Sequence, residues 1–105
     1  MNNVIMKITK QLNNKVLLIL LEGELNTTTA PELEGVVKND LLNVQSLIID
    51  MEDLTYLTSA GLRVLLVASK IMNDKKGQMV IRHANESIME VFNITGFDNI
   101  LNIEN

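Results

Sequence analysis

Hydrophobic and polar residues near the start of the chain follow the pattern of two β-strands. Val4 to Thr9 and Lys15 to Leu21 are rich in apolar and β-branched residues, and Asn13-Asn14 lies between them. Asn tolerates the positive φ angles that a tight hairpin turn requires. The pattern therefore predicts that the chain opens with an antiparallel pair of strands.

A helical period follows this predicted hairpin. Thr29 and Glu32 have the spacing of a capping box, and Pro31 falls in the first turn, where its missing N–H does no harm. The next apolar residues recur at helical spacing, which predicts one stripe packed against a sheet. The residues of this stripe are Leu33, Val36, Val37 and Leu41.

The middle of the chain alternates between the two kinds of element. Ser46 to Met51 holds a continuous apolar run, typical of a central strand buried on both faces. Ser59 to about Asn73 is helical and has more apolar residues than contact with one sheet face requires. The surplus indicates either a deeply buried helix or a docking surface for another protein. The predicted stripe of this helix consists of Leu62, Leu65, Leu66, Ser69 and Met72.

The pattern in the last third of the sequence predicts a strand over Met79 to Arg82 and a short strand over Ile100 to Ile103. Between them it predicts a helix that is capped by Asn85 and ends near Gly96. The complete order is β-β-α-β-α-β-α-β. Strands joined by helical crossovers run parallel, and the opening hairpin makes the sheet mixed. We therefore predict one α/β domain over residues 1–105, with a mixed sheet covered by three or four helices.

Composition narrows the functional classes. The net charge is −4 and no Lys/Arg cluster occurs, which argues against a nucleic-acid partner. The longest apolar run, Val16 to Leu21, is too short to cross a bilayer, so we expect a cytoplasmic protein without a membrane partner. The chain has no Cys, and His83 is its one His, so neither a metal site nor a cofactor is expected.

Two other classes of protein, an enzyme and a response-regulator receiver, fit the sequence poorly. No Ser-His-Asp order and no Gly-rich phosphate loop occurs, so we predict no catalytic residues and interpret His83 as a surface residue at a strand end. A response-regulator receiver would use Asp50 or Asp53 as acceptor, with Glu22 and Glu24 as metal-binding acids. That fold starts strand-helix, whereas this chain opens with a hairpin.

Four small residues separate the central strand from the next helix: Thr58, Ser59, Ala60 and Gly61. Such loops lie at the carboxyl ends of strands, where open α/β sheets usually have their binding or active sites. A Ser at a helix N-terminus either caps the helix or carries a phosphate. In the first case Gly61 serves only to let the helix pack closely.

The run IIDMEDLTYLTSAGLRVLL resembles the signature of anti-sigma factor antagonists of the STAS family (sulfate transporter and anti-sigma factor antagonist). GELNTTTAPELEGVV resembles their first helix junction, and the resemblance covers essentially the whole chain. Alignment on Gly61 and the following Leu-Arg-Val-Leu-Leu implies that Ser59 is the phosphoacceptor. Thr58 and Asn26 depart from the family pattern, because both stand where Asp is common.

The resemblance implies a partner switch. The unmodified protein binds an anti-sigma factor that is also a serine kinase, and phosphorylation of Ser59 ends the binding. A serine phosphatase would reset the switch. The alternative is a STAS ligand-sensing or scaffold module that is not phosphorylated. The implied partner-binding residues are Asn26, Tyr56, Leu57, Thr58, Ser59, Ala60, Gly61, Leu62 and Arg63.

Overall fold

A computed structural model describes residues 6–104, and within this range the elements follow the predicted order. A short 3-10 turn, Phe97–Asn99, precedes the last strand. The elements are β1 Lys7–Asn13, β2 Val16–Leu25, α1 Ala30–Asp40, β3 Ser46–Leu57, α2 Ser59–Asp74, β4 Gln78–Arg82, α3 Glu86–Thr95 and β5 Ile103–Glu104.

The strands form one mixed sheet in the order β1-β2-β3-β4-β5. β1 and β2 are antiparallel, and every later neighbouring pair is parallel. Each helix connects a strand to the next strand in the same direction across the sheet. Right-handed crossovers therefore place all three helices on one face. The predicted mixed α/β sheet with an opening hairpin is confirmed.

The two faces of the sheet are buried to different degrees. Side chains toward the helices are fully buried, such as Ile19 of β2 and Ile49 of β3, both 0% exposed. Their neighbours on the opposite face, Leu18 and Ile48, are only partly buried. The prediction that β3 is central is confirmed, but the prediction that both of its faces are buried is wrong. The helices cover one face only.

The hairpin is displaced from its predicted position. β1 begins at Lys7 and pairs Asn13 with Val16, so the turn consists of Asn14 and Lys15, with Asn14 at φ 58°. The predicted strand residues Val4 and Ile5 lie outside the described range. Because a two-residue loop determines hairpin register, this choice of turn shifts the whole strand.

The predicted capping box at the start of α1 is wrong. Thr29 is the N-cap residue, but its side chain makes no capping hydrogen bond. Its hydroxyl instead donates to the carbonyl oxygen of Glu24, at 2.7 Å. The apolar stripe is correct in outline, because Leu33, Val37 and Leu41 are buried and only Val36 is partly exposed.

The predicted stripe of α2 is partly wrong. Leu66 is 41% exposed, whereas Val64 and Ala68 are buried. α2 packs against α1 as well as against the sheet, and Val64 lies beside Ala30 of α1. The surplus of apolar residues on α2 is therefore divided between a second packing contact and an exposed position at Leu66.

The last helix is capped as predicted. The side chain of Asn85 accepts a hydrogen bond from the backbone N–H of Ile88 at 2.8 Å, and Gly96 ends α3 at φ 80°. β5 begins at Ile103 rather than Ile100, because the 3-10 turn occupies the preceding residues and Leu101 is buried. Across residues 6–104, no helix combines the length and apolar character needed to cross a bilayer.

Candidate functional site

β2 and β3 extend beyond β4 at the carboxyl edge of the sheet. β3 pairs with β4 only as far as Asp50, whereas its pairing with β2 continues to Leu25 and Leu57. Asn26 follows β2 directly, and Thr58 follows β3. The backbone N–H of Thr58 donates to the carbonyl oxygen of Leu25 at 3.0 Å. The two loops predicted to form the site therefore leave the sheet side by side.

Close packing explains why the junction between β3 and α2 is built from small residues. A Cβ atom at Gly61 would lie 2.6 Å from Cδ1 of Leu57 and 2.7 Å from Cγ of Leu25. Both contacts are shorter than carbon atoms tolerate, so a side chain here would require the buried Leu57 and Leu25 side chains or α2 itself to shift. Glycine allows the first turn of α2 to rest directly on the core.

Ser59 is the first residue of α2, and its side chain is exposed. Thr58 is the N-cap residue in an extended conformation, and its side chain makes no capping hydrogen bond. The Ser59 hydroxyl has no hydrogen-bond partner within residues 6–104. Thr58 is therefore the N-cap residue by position, and neither its hydroxyl nor that of Ser59 caps the helix by a side-chain hydrogen bond. Ser59 presents a hydroxyl to solvent that the fold itself does not use.

Thr58 differs from Ser59 in its surroundings. Its Oγ1 atom is buried, and it makes no hydrogen bond within the part of the chain that the structure describes. A buried hydroxyl without a partner costs free energy, on the order of 1–3 kcal/mol. Thr58 is partly exposed, but its hydroxyl is buried, so of the two hydroxyls only that of Ser59 is open to another protein.

The electrostatic surroundings of Ser59 favour an anion. The first N–H groups of a helix have no partner in the helix and carry a partial positive charge. The first turn of α2 contains no acidic residue. Arg63 lies one turn after Ser59, is exposed, and makes no ion pair in residues 6–104. A phosphate on Ser59 would meet unpaired donors rather than carboxylates.

Asn26 forms the turn that leads from β2 into α1. Its Oδ1 accepts hydrogen bonds from the backbone N–H groups of Thr28, at 2.9 Å, and Thr29, at 3.1 Å. Its Nδ2 lies 3.4 Å from a carboxylate oxygen of Glu24. The amide therefore supplies the acceptor that an Asp would supply, and it also donates toward a neighbouring carboxylate that an Asp would repel.

The nine predicted partner-binding residues fall into three groups by exposure. Leu57, Gly61 and Leu62 are buried, so they support the loop from beneath rather than offering side chains to a partner. Asn26, Thr58 and Ala60 are partly exposed. The most accessible group consists of Tyr56, which is 54% exposed, Ser59 and Arg63.

Sequence reasoning missed the contribution of α1 to this surface. A shallow groove between the first turns of α1 and α2 brings Thr27, Pro31 and Glu34 next to Ala60 and Arg63. Both helices start at the carboxyl edge of the parallel strands, and this shared edge was the available signal. We call the exposed part of the nine residues together with this groove the junction surface.

His83 follows β4 and is exposed, as predicted for a strand-end residue. Its Nδ1 atom lies 3.0 Å from Oδ1 of Asp50 and 4.0 Å from Oε1 of Glu52. These three are the one group of metal-ligating side chains gathered within residues 6–104. Sequence reasoning did not connect them, because about thirty residues separate the His from the two acids.

Comparison with known proteins identifies relatives over nearly the whole chain. The STAS domain family matches residues 7–105. BtrV of Bordetella bronchiseptica, which carries the name of an anti-sigma factor antagonist, is 31% identical over 95% of this chain and 87% of its own. The anti-sigma-B factor antagonist of Listeria monocytogenes is 28% identical over 83% of this chain and 77% of its own.

Solved structures share the fold. The anti-sigma factor antagonist SpoIIAA in its unphosphorylated form superposes with a TM-score of 0.77 at 15% identity, covering 94% of this chain and 88% of that one. The phosphorylated form of the Bacillus protein gives a TM-score of 0.76 at 16% identity, with 94% and 92% covered. SpoIIAA therefore has this arrangement of strands and helices in both of its phosphorylation states.

Proposed function

The chain belongs to the STAS family, and on that premise we propose that it is an anti-sigma factor antagonist that works by partner switching. The unmodified protein binds an anti-sigma factor through the junction surface and so releases a sigma factor. Phosphorylation of Ser59 ends the binding. One observation carries the proposal: Ser59 is an exposed residue at the start of α2 whose hydroxyl makes no hydrogen bond within residues 6–104.

The relatives support this assignment. BtrV and the Listeria protein carry the name of anti-sigma factor antagonists, and this chain spans most of the length of each. The receiver alternative, with Asp50 or Asp53 as phosphoacceptor, has no support from these matches. The proposed protein is a regulatory binding module rather than an enzyme, and the chemistry of the switch resides in its partners.

The kinase activity belongs to the anti-sigma factor in this proposal. The Ser59 hydroxyl attacks the γ-phosphorus of ATP, the bond to ADP breaks, and the hydroxyl proton passes to a base of the kinase. The chain supplies only an accessible nucleophile on a rigid helix start. A serine phosphatase would hydrolyse the phosphoserine and return the protein to its binding form.

Local electrostatics explain why phosphorylation would end the binding. A phosphate adds roughly −1.5 to −2 charges to a protein whose net charge is already −4. Close to Ser59 in the sequence, the junction surface includes the methyl group of Ala60 and the ring of Tyr56, which is 54% exposed. A partner that covers these groups must remove water from the phosphate, which is strongly unfavourable without matching donors.

In the unbound protein the same phosphate is tolerated. The N-terminus of α2 would stabilise it by about 0.3–1 kcal/mol, and Arg63 is within one turn for a charge-assisted hydrogen bond. Thr58 and Asn26 are uncharged where the family commonly has Asp, so no carboxylate at those positions opposes the phosphate. The switch therefore requires no change of fold.

The test is a pull-down from the source cell with four baits: wild type, Ser59→Ala, Ser59→Asp and Ser87→Asp. Ser87 is an exposed residue of α3, so Ser87→Asp adds the same charge outside the residues that define the junction surface. We expect wild type, Ser59→Ala and Ser87→Asp to recover an ATP-binding anti-sigma factor, and Ser59→Asp to lose it. Circular dichroism verifies that all four baits are folded.

Incubation of the recovered partner with ATP then tests the second half of the switch. Mass spectrometry should find one added phosphate on wild type, located at Ser59, and none on Ser59→Ala. If Ser59→Asp recovers the same proteins as wild type and no phosphate is added, the partner switch is wrong. The protein is then the scaffold or sensor module, because only that alternative uses the junction surface without phosphorylation.

A further inference from the structure

A second site lies on the face of the sheet that the helices do not cover. We propose that Asp50, Glu52 and His83 bind one divalent transition-metal ion of the zinc class. Asp50 and Glu52 belong to β3, and His83 directly follows β4. The ion would join two neighbouring strands at the point where their pairing ends. The proposal does not depend on the proposed function.

The distances between the ligand atoms fit a small tetrahedral ion. Two ligand atoms, each bound to zinc at about 2.0–2.2 Å, lie roughly 3.3–3.6 Å apart in a tetrahedral site. Nδ1 of His83 lies 3.0 Å from Oδ1 of Asp50 and 4.0 Å from Oε1 of Glu52. All three ligand atoms lie within 4.8 Å of one another. The two distances from His83 differ from this range by only a few tenths of an ångström, and the distance between the two carboxylates stays within 4.8 Å.

A simple hydrogen bond explains only part of this arrangement. The distance from His83 to Asp50 suits a hydrogen bond, but 4.0 Å from His83 to Glu52 is too long for one. A bound ion accounts for all three side chains together. Each carboxylate contributes one negative charge, so the two acids balance a divalent cation while the imidazole binds in its neutral form.

The strands β3 and β4 position all three ligands, and no helix contributes a residue to the site. Asp50 and Glu52 are two residues apart on one strand, and Asp50 is aligned with Arg82 of β4. The backbone N–H of Glu52 donates to Oδ1 of Asp50 at 2.9 Å, which holds that carboxylate in place. Arg82, the cation aligned with Asp50, is already paired, since it forms a salt bridge with Glu104 at 3.3 Å.

The donor set determines the class of metal. One imidazole nitrogen with two carboxylates suits zinc, cobalt, nickel or manganese, whereas calcium and magnesium prefer oxygen ligands throughout. His83 is 50% exposed and Glu52 is 73% exposed, so an ion can enter from solvent and keep water as a fourth ligand. The Asp50 side chain is only 16% exposed, so it is the most firmly held of the three ligands.

This site is separate from the junction surface. Asp50 precedes Leu57 by seven residues of β3, which corresponds to roughly 20 Å along an extended strand. A bound ion would link β3 to the loop after β4 and stabilise the folded chain by binding the native state alone. It would not contact a phosphate on Ser59.

Cobalt(II) and zinc(II) titrations of the metal-free full chain test the proposal. We expect one ion per chain, a cobalt absorption band that zinc removes, and no displacement by excess calcium or magnesium. Asp50→Asn, Glu52→Gln and His83→Asn should each weaken binding at least about tenfold. Asn is the chosen replacement for His83 because that residue has φ 62°, which Asn tolerates well.

Asp53→Asn is the matched control, since it removes the same charge from the same strand at an exposed carboxylate outside the group. It should bind cobalt as tightly as wild type. Equal weakening by Asp50→Asn and Asp53→Asn would show only general attraction of cations to an acidic surface and would overturn the proposal. Unchanged binding by His83→Asn, or no binding at millimolar cobalt, would also overturn it.

Discussion

Gly61 lies so close to Leu57 that a Cβ atom on Gly61 would stand 2.6 Å from Leu57 Cδ1. Leu57 is the last residue of β3, and Gly61 is in the first turn of α2. This contact determines how deeply the start of α2 settles onto the strand ends. It also determines how Ser59, two residues earlier, is presented to solvent. The position of the candidate phosphoacceptor therefore depends on a packing contact beneath it.

Gly61→Ala should destabilise the fold. The added methyl group must displace Leu57 and Leu25, which are 3% and 0% exposed and have little freedom to move. Overpacking of this kind costs about 1–3 kcal/mol, more than the helical preference of Ala restores. Urea unfolding followed by circular dichroism measures the change in the free energy of unfolding.

Gly35→Ala is the control for this prediction. Gly35 is also in a helix, but a Cβ atom there would meet nothing within 4 Å. We expect this change to stabilise the protein by about 0.5–1 kcal/mol, because Ala loses less conformational freedom than Gly in a helix. If both variants were stabilised, the proposed crowding at Gly61 would be wrong.

Asn26→Ala should destabilise the protein more than Asn26→Asp. The Ala variant loses the acceptor for two backbone N–H groups, at a cost of about 1–2 kcal/mol. The Asp variant keeps that acceptor but places a second carboxylate beside Glu24, whose oxygen lies 3.4 Å from the present amide nitrogen. The loss of stability in Asn26→Asp should become smaller as salt is added, because it arises from repulsion between two carboxylates.

Urea unfolding at low and high salt separates the two effects at Asn26. The Ala variant is the control for salt, because it adds no charge. A loss in Asn26→Asp that did not respond to salt would contradict the proposed repulsion from Glu24.

Arg63→Ala should act on the phosphorylated protein and leave the unmodified protein nearly unchanged. Arg63 is exposed and makes no ion pair in the described part of the chain, so its loss should alter the unmodified protein by less than about 0.5 kcal/mol. In wild type, phosphorylation should raise the free energy of unfolding by about 0.3–1 kcal/mol. Arg63→Ala should reduce that gain.

Lys70→Ala serves as the control, because Lys70 is an exposed cation of α2 further from Ser59. Unfolding of the phosphorylated and unmodified forms of each variant gives the comparison. An equal gain from phosphorylation in both variants would show that Arg63 does not pair with the phosphate.

Features that depend on neighbours in sequence were predictable. The order of strands and helices follows from their periodicities, and the Asn85 cap and the Gly96 stop follow from side-chain and backbone chemistry within one turn. The junction at Ser59 was located because a strand pattern changes to a helix pattern there. The prediction that Ser59 is phosphorylated came from the resemblance of the sequence to the STAS family.

Features that depend on contacts between distant segments were missed or misplaced. The Thr29 hydroxyl binds the carbonyl oxygen of Glu24, only five residues earlier, instead of closing a capping box. The prediction failed because the position of that carbonyl is set by β2, which continues to Leu25 through its pairing with β3. Leu66 is exposed, since α1 determines which side of α2 is covered. Neither outcome can be derived from the local pattern.

The sequence by itself therefore determined the elements, their order, the family and the position of Ser59, because periodicity, caps and motifs act over a few residues. Only the tertiary structure decided which side chains meet. The strand-end positions of Asn26 and Thr58 predicted that they share one edge, but the structure set the register through the alignment of Leu25 with Leu57, and it brought His83 to Asp50. Strand register and helix packing unite segments that lie far apart along the chain, and no local pattern specifies those distances.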